Sequence, residues 1–315
     1  FGSGMILRSY EARQLGIDNA IEGTRVKLNP INGIYITGLI GKQRLFFDKG
    51  PGIVRGIDGT ISINELHPRL DSIKTKVSIG GSFVSRYQKD NDPTYNLPEN
   101  VGAYSTRLNL NHGGFSFTGE YAYKINDPNS SNNFIYKPGQ GALFSMGYSQ
   151  KGIGVSVSGK MIDNMDFRSD RTATLNNLTI GYLPALSKQH TYNLAATLYP
   201  YGTQPNGEMG IQADLVYTIK KKSKIGGKYG TLISVNYSRI QSLDKNYYSD
   251  ASAPDSTRMG YTTNYFKVGD EVYFEDFNID ITRKLNKKLK VKAAYFNFIY
   301  NMEVIQGLGG KGTVY

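Results

Sequence analysis

Apolar and polar residues alternate along most of the chain between Phe83 and Tyr300. In residues 115–125 the odd positions are Phe, Phe, Gly, Tyr, Tyr and Ile, whereas the even positions are Ser, Thr, Glu, Ala and Lys. Residues 153–161 and 211–220 repeat the pattern. Successive side chains of a β-strand point to opposite faces, so each segment predicts a strand with one face suited to lipid and the other to water. Each has the length, about ten residues, that a tilted strand needs to cross a hydrocarbon layer.

The connections between these segments fall into two classes of length. Short connections are predicted at residues 112–114, 150–152, 186–189 and 286–288. Long connections rich in Gly, Pro, Asn, Asp and Ser are predicted at residues 88–100, 126–139, 162–173, 200–207 and 241–265. A soluble β-sandwich has no reason to sort its loops by length, whereas a membrane barrel has tight periplasmic turns and long outer loops. The sequence therefore predicts an all-β fold, a transmembrane antiparallel up-and-down β-barrel of about 14–16 strands.

Composition agrees with strands rather than helices as the membrane-crossing elements. Hydrophobic residues make up 39% of the chain, and the mean hydropathy is −0.40. No apolar run approaches the ~18 residues of a spanning helix, which excludes a helical membrane protein. The 24 Tyr and 14 Phe residues supply candidate aromatic girdles, with Tyr in place of the missing Trp. The absence of Cys is only weakly informative about the compartment.

Residues 1–315 are expected to form a single outer-membrane β-barrel domain that is a fragment of a longer chain. Residues 2–10 already have the pattern of a strand, and residues 309–315 begin another one. An outer-membrane protein carries a secretion signal before processing, and no such signal precedes Phe1. Both ends are therefore expected to continue.

Several longer segments resemble an uncharacterised outer-membrane β-barrel family of the Bacteroidota. The segments are GGSFVSRYQKD at 80–90, LPENVGAY at 97–104, DRTAT at 170–174, YLPAL at 182–186 and LYPYGTQPNGE at 198–208. The resemblance covers most of the chain and implies a fold, a membrane and a bacterial phylum. Members of the family look longer at both ends. The family is a domain of unknown function, so the resemblance assigns no site residues.

The net charge of +11 is distributed unevenly along the chain. Basic residues are dense beside the short connections, at 220–228 and 283–292, whereas carboxylates gather in the predicted long loops. The simpler interpretation is that charged turns keep the strand ends in water. The alternative is a basic rim that docks an anionic partner: peptidoglycan, an acidic periplasmic protein or phosphorylated lipid head groups. No nucleic acid is expected, since no helix, finger or aromatic stacking platform accompanies the lysines.

Catalytic and metal-binding patterns are weak. Asp163, Asp166 and Asp170 offer hard oxygen ligands and raise calcium as a weak hypothesis, but they lack EF-hand spacing, so a solvated or Asx-turn loop is favoured. The three His residues are far apart and no Cys accompanies them. Glycine motifs at 154–161 and 307–312 resemble phosphate loops without the strand-to-helix context. No cofactor and no enzymatic activity are expected.

Alternation assigns a set of charged residues to the inward faces of the strands. These lumen-lining candidates are Lys74, Lys76, Arg86, Arg107, Glu120, Lys124, Lys160, Asp214, Lys220 and Asp280. Mixed charges of this kind either line a water-filled pore or form a fixed salt-bridge network that closes it. A barrel of ~16 strands leaves an aqueous channel unless it is plugged. A single β-bulge would invert every assignment downstream of it.

The favoured hypothesis is a porin-like or transport channel for small polar or anionic solutes, integral to the outer membrane of a Gram-negative bacterium. One alternative is a structural accessory subunit of a larger outer-membrane complex, such as secretion or barrel-assembly machinery. A weaker alternative is a surface glycan-binding β-protein. The expected partners are outer-membrane lipid and lipopolysaccharide, together with other outer-membrane or periplasmic proteins if the accessory-subunit hypothesis holds.

Overall fold

The computed structural model describes residues 2–8, 11–12, 17–45, 47–190, 199–249 and 258–306. Four short strands lie near the N-terminus: β1 Gly2–Ser3, β2 Leu7–Arg8, β3 Glu11–Ala12 and β4 Ile17–Asp18. Twelve further strands form one antiparallel sheet in sequence order. They are β5 Ile21–Leu28, β6 Ile34–Leu45, β7 Asp48–Ser62, β8 Thr75–Tyr87, β9 Asn100–His112, β10 Phe115–Lys124, β11 Gly139–Gln150, β12 Ile153–Asp163, β13 Glu208–Ile219, β14 Thr231–Tyr247, β15 Tyr261–Lys284 and β16 Lys290–Tyr300.

The all-β antiparallel architecture is confirmed, and every neighbouring pair of long strands is adjacent in sequence. The main sheet holds twelve strands, fewer than the 14–16 expected, and in the described part of the chain β5 and β16 are its edges. The only helices described are 3₁₀ turns at Ile63–Glu65 and Ser130–Asn132 and short α-helices at α1 Pro68–Asp71 and α2 Met302–Gln306. None of these helices is long or apolar enough to cross a membrane.

The connections lie at two ends of the sheet, here called the turn end and the loop end. Three predicted tight turns are confirmed at the turn end, between β9 and β10, β11 and β12, and β15 and β16. The long connections β8–β9, β10–β11, β12–β13 and β14–β15 lie at the loop end. The predicted loop at 241–265 is shorter than expected, because β14 continues to Tyr247 through register shifts between Ile240 and Asp244.

The tight turn predicted at residues 186–189 is wrong. Residues 164–190 contain none of the described strands, so this segment does not join two described strands. Its side chains contact the inner face of the sheet: Lys188 Nζ donates to Asn278 at 2.8 Å, and Leu186 is buried among aromatic residues of β15 and β16. Apolar burial and polar contacts with the sheet hold the segment.

The outer face of the sheet is apolar and exposed. The strand register places the following exposed apolar side chains on this face: Val26, Leu28, Ile40, Ile57, Ile61, Ile79, Phe83, Tyr104, Leu108, Phe115, Tyr121, Phe144, Met146, Tyr148, Val155, Ile211, Leu215, Tyr217, Ile281, Val291 and Tyr295. Between a third and three-fifths of each of these side chains is exposed. The predicted segregation of apolar and polar faces is therefore confirmed in the central strands.

The inner face is covered at the loop end by the chain itself. We call the covering segments, residues 4–7, 126–138, 164–190 and 199–207, the cover. Met5, Ile6 and Leu7 pack with Val84, Val101, Ala122 and Ile162 of the sheet in one buried cluster. A second cluster joins Leu186 and Tyr201 of the cover to Phe274 and Tyr300. Residues 9–10 and 309–315, which the sequence assigns to strands, and the glycine motif at 307–312 lie outside the described residues.

Candidate functional site

Four of the ten lumen-lining candidates are buried cations on the inner face, beneath the cover. Arg86 and Lys124 are 0% exposed, Lys160 is 3% exposed and Arg107 is 9% exposed. Each lies on a different strand, β8, β10, β12 and β9 respectively, at a position whose side chain points inward. A buried charge is costly unless it is paired, so the partners of these cations define the site.

Arg86 and Lys124 share one carboxylate, which comes from the cover. Arg86 Nη2 lies 2.6 Å from Asp127 Oδ1, and Lys124 Nζ lies 3.8 Å from Asp127 Oδ2. Asp127 is 0% exposed. Arg86 also donates to the Arg168 carbonyl at 3.3 Å, and Lys124 donates to the Asp166 carbonyl. Two connections, β10–β11 and β12–β13, are thereby attached to the wall of the sheet.

Arg107 takes part in a second network, which reaches the N-terminal segment. Its guanidinium pairs with Asp58 of β7 and donates to Ser82 Oγ at 2.6 Å, and Ser82 in turn donates to Asp58. Glu120 lies directly opposite Arg107 in the β9–β10 register. The Glu120 carboxylate accepts a hydrogen bond from the Met5 backbone N–H at 2.8 Å. The carboxylate therefore holds the N-terminal segment against the inner face.

Lys160 pairs with a carboxylate at the start of β13. Its Nζ lies 2.5 Å from Glu208 Oε1, and both side chains are fully buried. Lys160 also donates to the Pro184 carbonyl at 2.6 Å and to Thr203 Oγ1 at 2.8 Å, both in the cover. The Tyr201 hydroxyl donates to Glu208. Burial, reinforced by the Glu208 charge, raises the pKa of Tyr201 well above its usual value, so this phenol stays a neutral donor.

A cavity of about 350 Å³ lies between the cover and the inner face of β15 and β16. Its walls combine aromatic rings, among them Tyr199, Phe274 and Phe298, with the polar pair of His190 and Asp276. His190 Nε2 lies 2.6 Å from Asp276 Oδ2, and the His190 ring meets Phe296 edge-on. This geometry fixes the imidazole between an anionic and an aromatic neighbour.

The remaining candidates lie toward the turn end, at the margin of the cover or beyond it. Asp280 and Asp214 are half-buried; Asp280 lies 3.4 Å from Lys188 Nζ, and Asp214 accepts from Asn236 at 2.8 Å. Lys74 precedes β8 and Lys220 follows β13, so neither lies within a strand, and both are exposed. Lys76 is also exposed and pairs with Asp71 at 2.8 Å. These three lysines belong to the rim rather than to the covered interior.

The three carboxylates behind the calcium hypothesis are held by different donors. Asp163 accepts from Lys137 at 2.7 Å and from Tyr261 at 2.8 Å. Asp166 accepts from Arg168 Nε at 2.8 Å, whereas Asp170 accepts from the Thr172 N–H at 3.0 Å. Within the described ranges, no group of three or more His, Asp or Glu side chains is placed to hold a metal ion. In the structure, each of the three carboxylates accepts hydrogen bonds from neighbouring side chains or backbone.

Sequence reasoning assigned these four cations to one face of the strands but did not identify their partners. The missed partners are Asp58, Asp127 and Glu208. Three further residues of the site were also missed: Lys137, which pairs with Asp163, and the His190–Asp276 pair. Most of them lie in, or at the border of, connections that turn chemistry marks as solvent-exposed loops. One feature of the sequence could have pointed to these partners: the residues assigned to the inward faces include more cations than anions. Buried cations need anions nearby, and the long loops are the part of the chain that holds the spare carboxylates.

The comparisons with known proteins identify a family whose function is unknown. One family model matches residues 1–314, nearly the whole chain, and its members are described only as a family of unknown function. No curated protein matches the chain.

Proposed function

Since the chain belongs to the DUF6029 family of unknown function, we propose a role from the geometry: an integral outer-membrane β-protein, closed at the loop end, that serves as a structural accessory subunit of a larger outer-membrane complex. The observation that carries the proposal is the attachment of the cover to the inner wall through buried ion pairs. A porin-like channel needs an unobstructed path along the same wall.

The exposed outer face supports a membrane location. Soluble monomers rarely expose contiguous apolar patches larger than a few hundred Å². Here apolar side chains are exposed on the outer face of most of the twelve strands, whereas the buried charged side chains of the central strands lie on the opposite face. The ten strands β6–β15 pair with a neighbour on both sides, as crossing a bilayer requires, whereas the edge strands β5 and β16 pair on one side.

The buried pairs support a closed interior. Removing a cover segment from the wall would leave Arg86, Lys124 and Lys160 without their anions or backbone acceptors. Truncating one partner of a buried pair typically costs about 3–5 kcal/mol, so each pair opposes opening of the cover. If the inner face is closed, the surfaces left for contact with other molecules are the outer face and the two ends of the sheet.

Exposed aromatic residues at the loop end support contacts with other proteins. Phe47, between β6 and β7, is fully exposed, and Tyr247 and Tyr248 at the end of β14 are 75% and 50% exposed. Aromatic residues are enriched in protein interfaces because they combine large apolar area with few rotatable bonds. A subunit held in a complex would bury them.

The proposal is tested by planar-bilayer conductance of the purified protein, together with identification of the proteins that co-purify in mild detergent. We expect no steady conductance steps, although a general porin reconstituted in the same lipid conducts. We also expect companions in fixed stoichiometry. Steady anion-selective steps from the protein alone would contradict the closed interior and restore the channel hypothesis.

The two faces of β12 are distinguished by cysteine labelling in vesicles. Ser156 points inward and lines a cavity of about 280 Å³ near the turn end, whereas Val157 points outward. We expect a water-soluble thiol reagent to modify Ser156→Cys and to leave Val157→Cys unmodified, because the lipid excludes the reagent from the outer face. The chain has no native Cys to interfere. Equal labelling of both variants in sealed, protein-containing vesicles would contradict a lipid-facing outer wall.

A further inference from the structure

One sector of the turn end is strongly and purely basic. Residues 220–230, between β13 and β14, and residues 283–290, which comprise the β15–β16 turn and the adjoining strand ends, contain ten Lys or Arg residues and no Asp or Glu. All ten are exposed: Lys220, Lys221, Lys222, Lys224, Lys228, Arg283, Lys284, Lys287, Lys288 and Lys290. None of them has an ion-pair partner among the described residues. We call these residues the basic sector.

The two connections form one continuous surface. β14 and β15 are paired neighbours, with Thr231 opposite Arg283. A Cβ built at Gly227 would lie 2.7 Å from Arg283 Nη2, so the second connection reaches the first. The Tyr229 ring has Lys228 Nζ at 5.7 Å and Lys284 Nζ at 5.4 Å from its centroid.

The other turn-end connections lack this charge. The β9–β10 turn is Gly113-Gly114, and the β11–β12 turn contains the single cation Lys151. The β7–β8 connection mixes signs, and its Asp71 neutralises Lys76 at 2.8 Å. Charge needed only to keep turns in water would be spread over all the connections. Its confinement to one sector indicates a specific anionic partner.

Apolar side chains interleaved with the lysines indicate what kind of partner. Ile225 is 70% exposed, and Leu285 and Leu289 are 50% and 48% exposed, within the two basic connections. Arg283 lies opposite Val291, two residues beyond Ile281 along the exposed outer face. A basic surface that carries exposed aliphatic residues and continues an apolar wall matches the interface of a bilayer, where lysine stems lie along acyl chains and their ammonium groups reach phosphates.

We propose that the basic sector binds the head groups of anionic phospholipids in the leaflet at the turn end. The inference rests on the proposed membrane location. Each Lys or Arg near an anionic membrane surface contributes attraction that is screened within a Debye length, so ten cations on two adjacent hairpins give a strong local preference. An acidic protein would neutralise the charge but leave Ile225, Leu285 and Leu289 without an apolar environment.

The test is a native mass-spectrometry titration of the detergent-solubilised full chain with phosphatidylglycerol and, separately, with phosphatidylcholine. The variant replaces Lys220, Lys221, Lys222, Lys224, Lys287 and Lys288 with Gln. We expect wild-type protein to bind phosphatidylglycerol in preference to phosphatidylcholine, and the variant to lose at least about tenfold in phosphatidylglycerol affinity. The control, with Arg69, Lys74 and Lys151 at the same end changed to Gln, should behave as wild type.

The outcomes separate this inference from the proposed function. Two results would overturn only the lipid site, provided that the chain inserts into vesicles of either lipid. One is a titration that shows no preference for phosphatidylglycerol, and the other is a preference that the six-lysine variant retains. The loss of an acidic co-purifying protein in that variant while its phosphatidylglycerol affinity is unchanged would also overturn only the lipid site. A chain that stays in solution without detergent and inserts into neither vesicle overturns the membrane location itself. Free inorganic phosphate at millimolar concentration should not displace the lipid, because it offers nothing to the aliphatic residues.

Discussion

Replacing Asp127 with Ala is expected to lower the free energy of unfolding by about 3–5 kcal/mol, because it leaves two buried cations uncompensated. Arg86 and Lys124 are both 0% exposed, and Asp127 is the carboxylate that pairs with each of them. The loss is measured by urea titration of the protein in phosphatidylcholine vesicles, followed by circular dichroism. A loss of this size is a large part of the total stability of a typical domain.

The matched control is an exposed ion pair in the same sheet. Glu22 lies 2.5 Å from Lys49, but the two side chains remain 57% and 50% exposed. Glu22→Gln should cost no more than about 1 kcal/mol, because water screens the pair. A second variant, Arg86→Leu with Lys124→Met and Asp127→Leu, removes all three charges together and should recover part of the loss. Equal small losses for Asp127→Ala and Glu22→Gln would show that the cover is not fixed to the wall as described.

Placing a charge in the middle of the outer face should destabilise the protein in lipid. Val157 lies at the centre of β12, with outward-facing Met146 and Ala213 opposite it on the two neighbouring strands. Val157→Arg is expected to cost about 2–4 kcal/mol in a bilayer, the penalty for a cation at the midplane of a transmembrane sheet. The measurement is the same urea titration in vesicles.

The control for Val157 lies on the same strand and the same face. Ile153 is the first residue of β12, beside the turn and opposite Gln150 and Tyr217. Ile153→Arg should cost only about 0–1 kcal/mol, because a cation near the interface reaches water and head groups. Similar costs for the two variants would argue against a bilayer around the outer face. If water rather than lipid surrounded the outer face, the cost of Val157→Arg and that of Ile153→Arg would not depend on their position along the strand.

The sequence predicts the sheet and its two faces well, because both depend on local pattern. Alternation in residues 115–125 follows from backbone geometry that repeats every two residues. Gly113-Gly114 and Lys151-Gly152 mark turns through their own chemistry, and Gly113 and Gly152 adopt the positive φ that favours glycine. The same parity puts Arg86, Arg107, Lys124 and Lys160 on one face of the sheet, the face against which the cover lies.

The sequence fails where a segment's environment is set by distant parts of the chain. The pattern of residues 186–189 is that of a tight turn, yet Lys188 contacts Asn278, ninety positions away. The same reasoning treats Asp127 and Asp166 as solvent-exposed loop carboxylates, and their burial depends on how two connections fold over one wall.

By itself, then, the amino-acid order determined an antiparallel β-sheet, an apolar outer face, a charged inner face and a basic turn end, since each follows from spacing of two residues or from turn chemistry. Only the tertiary structure decided what the inward charges do. Arg86 finds its counter-ion 41 residues further along the chain, and Glu120 accepts from a backbone N–H 115 residues away. Electrostatic pairing in a buried space acts through distance in three dimensions, so a one-dimensional pattern carries almost no record of it.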